Sequence, residues 1–151
     1  MYMRAVVQRV ISASVTVDNE TIGKIDKGFV VLLGVGKGDN ENDMKYIADK
    51  IMALRVFEDE NEKMNLSLGD VGGQLLVISQ FTLYGDCRKG RRPSFDSAAD
   101  PVTANDLYMK MCDYFSNSGI YTQTGKFAAD MKVNLINDGP VTLMLDSKKT
   151  F

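Results

Sequence analysis

The sequence predicts an α+β domain in which a mainly antiparallel sheet carries helices on one side. Three observations lead there. Short β-branched runs succeed one another through hairpin-type turns, and two stretches carry apolar residues at helical spacing. Apolar side chains make up 44% of the 151 residues, enough to fill one core without staples.

The elements follow in order. Residues 4–11 and 13–18 alternate or run apolar and read as two strands, with Asp18-Asn19-Glu20 as turn chemistry and the TIGKI segment as a hairpin return. Phe29 to Leu33 is a continuous apolar run between glycines, the pattern of a strand buried on both faces. Met44, Ile47, Ala48, Ile51 and Met52 then form a helical stripe, with Asp39 or Asn40 available as N-cap. Leu75 to Ile78 is a second buried strand, and residues 84–100 read as a long polar loop. Ala104, Leu107, Tyr108, Met111, Cys112 and Phe115 predict a second helix that Asn117 to Gly119 ends. Thr103 and Asp106 resemble its capping box. Met131, Val133 and Leu135 alternate as in a strand, the Asn137-Asp138-Gly139-Pro140 segment reads as a turn, and Val141 to Leu145 closes the sheet. No repeat or linker divides the chain, so residues 1–151 are expected to form one domain.

Composition removes several chemistries. There is no histidine, which eliminates Ser-His and Cys-His pairs and the common zinc ligand sets. The two cysteines, Cys87 and Cys112, form no CxxC motif, and reduced thiols are expected. No run approaches the ~20 apolar residues of a membrane span. The first residues have no apolar signal core, so a cytoplasmic location is expected. Net charge is −2, so any nucleic-acid contact must come from a local patch.

Four motifs merit weighing. Gly34-Val35-Gly36-Lys37-Gly38 follows a strand but lacks both the third glycine of a dinucleotide fingerprint and the Ser or Thr of a phosphate loop, so it reads as a plain turn. Arg88, Lys89, Arg91 and Arg92 crowd one loop, either as a solvated charge run or as a phosphate clamp. Four phosphate contacts would give a log–log salt slope of roughly −3 to −4. Ser79-Gln80-Phe81-Thr82 sits at a strand end, where hydroxyls satisfy backbone or where a rigid strand aims a site. Gly139-Pro140 is either an ordinary turn or a cis peptide.

Together MRAVVQRV from Met3, GGQLLVISQFTLYGD at 72–86, RKGRRPSF at 88–95 and NDGPVT at 137–142 resemble the D-aminoacyl-tRNA deacylase family over residues 3–147. Met1 and Tyr2 precede the family's start and read as an extension. The resemblance implies a homodimer whose active sites lie at the interface, and a three-layer sandwich of two mainly antiparallel sheets with helices on one side. It implies a tRNA-editing hydrolase that cleaves the ester between a D-amino acid and the terminal adenosine of tRNA, with neither cofactor nor metal. Ser79, Gln80, Phe81 and Thr82 would line the site. Gly139 and Pro140, cis in the family, would enter the partner's site as a chirality filter with Val141 and Thr142, steadied by Arg9. Phe127 and Met131 match positions that hold the adenine, and Arg88, Lys89, Arg91 and Arg92 would meet the tRNA. Where the family commonly has FGAxM, this chain has Phe127-Ala128-Ala129-Asp130-Met131.

On that resemblance the Phe81 amide is expected to stabilise the oxyanion, the ribose 2′-hydroxyl to help activate water, and Thr82 to position rather than attack. Activity on glycyl esters is expected too, because glycine has no β-carbon to exclude. Two other readings stand beside this one: a sister deacylase for a mischarged L-aminoacyl-tRNA, with a trans Gly-Pro, and a non-catalytic nucleic-acid-binding dimer using residues 88–92.

Overall fold

The computed structural model describes residues 2–151. Eight strands and two helices follow the order β1 (Arg4–Val17), β2 (Glu20–Ile25), β3 (Gly28–Gly34), α1 (Glu41–Ala53), β4 (Phe57–Glu58), β5 (Met64–Leu66), β6 (Gln74–Ser79), α2 (Pro101–Asn117), β7 (Thr122–Thr124) and β8 (Lys132–Asp146). A 3-10 turn, Phe81–Tyr84, follows β6.

Six strands make one mixed sheet in the order β2-β1-β3-β6-β7, with β8 along the other edge of β1. Every pair involving β1 is antiparallel, whereas β3–β6 and β6–β7 are parallel. The expectation of a mainly antiparallel sheet therefore holds only for the β1 half. Parallel neighbours need crossovers, and here α1 and α2 lie in them. Both crossovers advance the same way across the sheet, so the right-handed rule puts both helices on one face. There they meet: Lys110 Nζ donates to Glu41 Oε1 over 2.8 Å and the Tyr114 hydroxyl to Asp49 Oδ1 over 2.7 Å.

The helices cover one core, in which Val7, Phe29, Val31, Leu75 and Val77 face Ile47, Ile51, Tyr108, Met111 and Phe115. A second core of Val10, Val15, Ile25, Val30, Leu76 and Ile78 fills the opposite face. That face is closed by the sheet itself, which curls until it is nearly a barrel. At Gly23 on β2, an added Cβ would lie 2.8 Å from the Thr124 carbonyl of β7, so the glycine admits that approach. The only other sheet is the β4–β5 pair, so the described residues form one curled sheet with a helical layer rather than two stacked sheets.

Several expectations change here. Residues 4–11 and 13–18 belong to one strand, because the pattern break between them is a bulge. Pairing with β8 shifts register between Gln8 and Val10 and again between Val10 and Ser12. Val7 therefore faces the helices while Val10, Ala13 and Val15 face the inner core. The same irregularity carries β8 past Asn137–Pro140, which is not a turn between two strands but part of one continuous edge strand. In α2 the N-cap is Asp100, whose carboxylate accepts the Thr103 N–H, with Pro101 in the first turn; Thr103 and Asp106 form no capping box. In α1, Asn40 rather than Asp39 is the cap, and it shares a capping box with Asp43. Both cysteines are free, Cys87 exposed and Cys112 buried. No helix among the described residues is long and apolar enough to cross a membrane.

Candidate functional site

The principal cavity, about 560 Å³, opens beyond the carboxyl ends of the parallel strands β3 and β6. That is where parallel α/β sheets place their ligands. Ser79 ends β6 and Val35 follows β3, so both strands feed the cavity wall directly. Ile78, Ser79, Gln80 and Phe81 form one side, and Phe127, Ala128 and Met131 form another. The structure thus joins two groups of candidates that lie far apart in sequence.

A third side was not foreseen. Phe95, Ala98, Ala99, Pro101 and Ala104 complete the wall. They reach it because the turn after β3 pairs with the loop before α2. The Ala99 N–H donates to the Val35 carbonyl over 2.9 Å and the Lys37 N–H to Ser97 over 3.0 Å. The glycine-rich segment is therefore the expected turn, serving as an anchor for the cavity wall. Asp39 holds it from within: Oδ2 accepts the Gly36 N–H at 2.6 Å, while Oδ1 is buried without a partner. Burial pushes the Asp39 carboxyl up to about 6.

Backbone bonds fix the strand end. The Gln80 N–H donates to Leu33 over 2.7 Å, and Arg4 Nη1 donates to the Leu83 carbonyl over 2.9 Å. The buried Tyr84 hydroxyl donates to the Tyr2 carbonyl and lies 3.1 Å from the Gly34 carbonyl. Phe81, though 56% exposed, stacks edge-on against Phe95 with ring centres 5.1 Å apart. Its N–H opens the 3-10 turn and has no acceptor within it. Thr82 lies outside the cavity lining, and its Oγ1 accepts a hydrogen bond from Gln80 Nε2.

On the opposite wall, Phe127 leans on Tyr108 at 6.2 Å between ring centres. Ala128 has φ +62°, the left-handed region that favours glycine.

Gly139 and Pro140 are exposed, joined by a cis peptide, and absent from the cavity of their own chain. Their setting is tightly held. Arg9, 5% exposed, donates Nε–H to the Asp138 carbonyl over 2.9 Å and Nη1–H to Val56 over 2.6 Å. Its guanidinium also lies 3.8 Å from carboxylate oxygens of Glu58 and Asp138. Asn137 staples this stretch of β8, accepting the Val141 N–H at 2.7 Å and donating to Val141 O and Thr142 Oγ1. Gly139 has φ +142°, and a Cβ there would meet Val141 Cγ2 at 2.7 Å.

The basic cluster tips a small hairpin closed by reciprocal bonds between Asp86 and Ser94 of 2.7 and 3.0 Å. Arg88 grips Asp86 through Nε and Nη2, at 2.9 and 2.7 Å, and holds that carboxyl down to about 2. Lys89, Arg91 and Arg92 are exposed and form no ion pair among the described residues. Among those residues no group of His, Cys, Asp and Glu could hold a metal ion.

The family model of D-Tyr-tRNA(Tyr) deacylase matches residues 6–146. The chain is similar to the D-aminoacyl-tRNA deacylase of Clostridioides difficile, with 62% identity over 149 residues covering 99% of this chain and all of that one. It matches the protein of that name from Thermosipho africanus at 59% over the same span. Among solved structures, one titled c-Myc DNA Unwinding Element Binding Protein is 40% identical with a TM-score of 0.88, covering 94% of this chain and 97% of that one. A probable eukaryotic D-amino acid tRNA deacylase shares the fold, with a TM-score of 0.81 at 16% identity over 97% of this chain and the whole of that one.

Proposed function

This chain belongs to the D-Tyr-tRNA(Tyr) deacylase family, and from that premise we propose that it hydrolyses the ester joining a D-amino acid to the 3′-terminal adenosine of tRNA. The observation that carries the reading is the shared cavity walled by Ser79–Phe81 on one side and Phe127 and Met131 on the other. An aminoacyl adenosine has a reacting ester at one end and a flat apolar base at the other, and the two walls suit those ends.

In this reading the adenine packs against Phe127 and Met131, and the ester lies beside the β6 end. Water bonds to the ester carbonyl carbon, the bond to the ribose 3′-oxygen breaks, and the departing oxygen takes a proton. The Phe81 N–H stabilises the oxyanion. One such preorganised donor is worth about 10²–10³ in rate. The chain has no histidine to act as base, and the neighbouring 2′-hydroxyl of the ribose takes part in activating the water. Thr82 positions rather than attacks: its oxygen already accepts the Gln80 amide, a donor that lowers its nucleophilicity.

Chirality is set by a second copy. Gly139 and Pro140 are exposed, braced by Arg9 and Asn137, and outside the lining of their own cavity, which suits insertion into the cavity of a partner. Their carbonyls would collide with an L side chain, whereas glycine would pass. The hairpin of Lys89, Arg91 and Arg92 holds the tRNA backbone.

Release of amino acid from D-tyrosyl-tRNA and L-tyrosyl-tRNA in parallel tests the proposal. Rapid loss of the D-ester alone is expected, with glycyl-tRNA also cleaved. Loss of the L-ester alone assigns the sister activity. Binding without any turnover assigns a nucleic-acid-binding role, the reading favoured by the name of one similar structure and by the basic hairpin.

A further inference from the structure

Gly125 lies between β7 and Phe127, outside the cavity lining. A Cβ built there would fall 2.5 Å from Met131 Sδ and 3.1 Å from Ile78 Cδ1. A contact of 2.5 Å does not occur, so Met131 would have to move, and the 3.1 Å approach to Ile78 is already tight. Gly125 does not have a positive φ, and nothing in its backbone conformation calls for glycine. The demand is purely one of space, and both residues that press on it are cavity-lining.

The two neighbours differ in what they can yield. Ile78 is 1% exposed on a central strand, fixed among Val30, Leu76 and the rest of the inner core. Met131 is unbranched, half-buried and borders the open cavity, so its thioether end is the part that gives way. The volume open to it is the cavity itself.

We propose that Gly125 is a specificity-determining position of this enzyme: by lacking a side chain it recesses Met131, and so sets how deep the nucleoside end of the pocket is. This rests on the reading above, in which Met131 meets the terminal adenine. Gly125 touches no reacting atom and acts only through Met131, so its influence falls on binding and leaves the chemical step alone.

The test is a kinetic double-variant cycle on D-tyrosyl-tRNA with the wild type, Gly125→Ala, Met131→Ala and the pair, each checked for a cooperative thermal transition. Gly125→Ala is expected to raise KM about tenfold, the effect of one added methyl in a pocket, with kcat within about twofold of wild type. In the Met131→Ala background, where no thioether is left to displace, the same change is expected to alter KM less than about twofold. Equal KM penalties in both backgrounds would overturn the inference, as would a fall in kcat at unchanged KM or an unfolded Gly125→Ala. A wild type that leaves D-tyrosyl-tRNA intact would instead remove the substrate reading, and the inference with it.

Discussion

Arg9 donates its Nε–H to the carbonyl oxygen of Asp138 across 2.9 Å, tying the middle of β1 to the residue just ahead of Gly139. The same guanidinium reaches the Val56 carbonyl at 2.6 Å, so one planar group spans two backbone acceptors. A lysine keeps the charge but cannot reproduce that fork. Arg9→Lys is therefore expected to leave one acceptor unpaired at a cost of about 1–3 kcal/mol in urea unfolding. Hydrolysis of the D-ester should fall by about tenfold or more as the turn loosens, while affinity for deacylated tRNA stays unchanged. Wild-type kinetics in Arg9→Lys would mean that the turn needs no such brace.

Ala128 occupies a left-handed conformation, φ +62°, in the tight turn where the Ala129 N–H donates to Lys126. That region costs an L residue with a β-carbon about 1–2 kcal/mol, a penalty that glycine escapes. Glycine in turn loses more backbone freedom on folding, roughly 0.4–1 kcal/mol. The net expectation for Ala128→Gly is a gain of about 0.5–1 kcal/mol, near 2 °C in Tm by calorimetry. A lowered Tm would show that the Ala128 methyl packs usefully in the cavity wall. A glycine at this position would thus have a backbone reason.

What the sequence made legible divides along physical lines. Both helical stripes, Met44 to Ile51 and Ala104 to Phe115, are buried as periodicity requires, because an apolar face repeated over two or more turns has one reading. The strands β4, β5 and β7 contain two to three residues each, too few for any period to register. The bulge around Val10 looked like a strand boundary because it shifts the alternation just as a turn does. Asn137-Asp138-Gly139-Pro140 has turn chemistry that the fold uses inside an edge strand. At the site, Ser79 to Phe81 and Phe127 with Met131 are legible through the resemblance, whereas their meeting in one cavity follows only from the fold. Phe95 and Ala98 are not legible in that way, because their place depends on the Gly36–Ala98 bridge, a contact between two loops without periodicity. An aromatic at position 95 in so polar a loop is the available signal.

Arg88 is bound to Asp86, so the hairpin offers three uncommitted cations rather than four. Three phosphate contacts give a log–log salt slope of about −2 to −3. The triple change Lys89→Ala, Arg91→Ala, Arg92→Ala is expected to flatten the slope of tRNA binding by that amount, with kcat at saturating tRNA preserved. Adding Arg88→Ala should change it little further, since Asp86 already holds that cation. An unchanged slope in filter binding from about 50 to 200 mM salt would return the hairpin to a solvated charge run.

Asp39 makes the last prediction, and its sign is opposite to that of a carboxylate stabilised in its charged form. Burial raises its pKa to about 6 from 3.8, with Asp43 reinforcing the rise and the Gly36 N–H and Lys148 opposing it. The folded state therefore holds this proton more tightly than the unfolded chain does. Its contribution to stability is full at low pH and is lost as pH climbs between about 4 and 6. The shift corresponds to about 3 kcal/mol. Asp59, Asp70, Asp86 and Asp100, whose pKa values are lowered, gain stability with rising pH and mask the effect in the wild type. Asp39→Asn isolates it, because an amide oxygen can still accept the Gly36 N–H while no buried charge forms. In denaturant unfolding of both chains, the Asp39→Asn variant should gain on the wild type by up to about 3 kcal/mol from pH 4 to 6, then hold a constant lead. A difference that stays flat across that window would place the Asp39 carboxyl at its ordinary value, hydrated rather than buried.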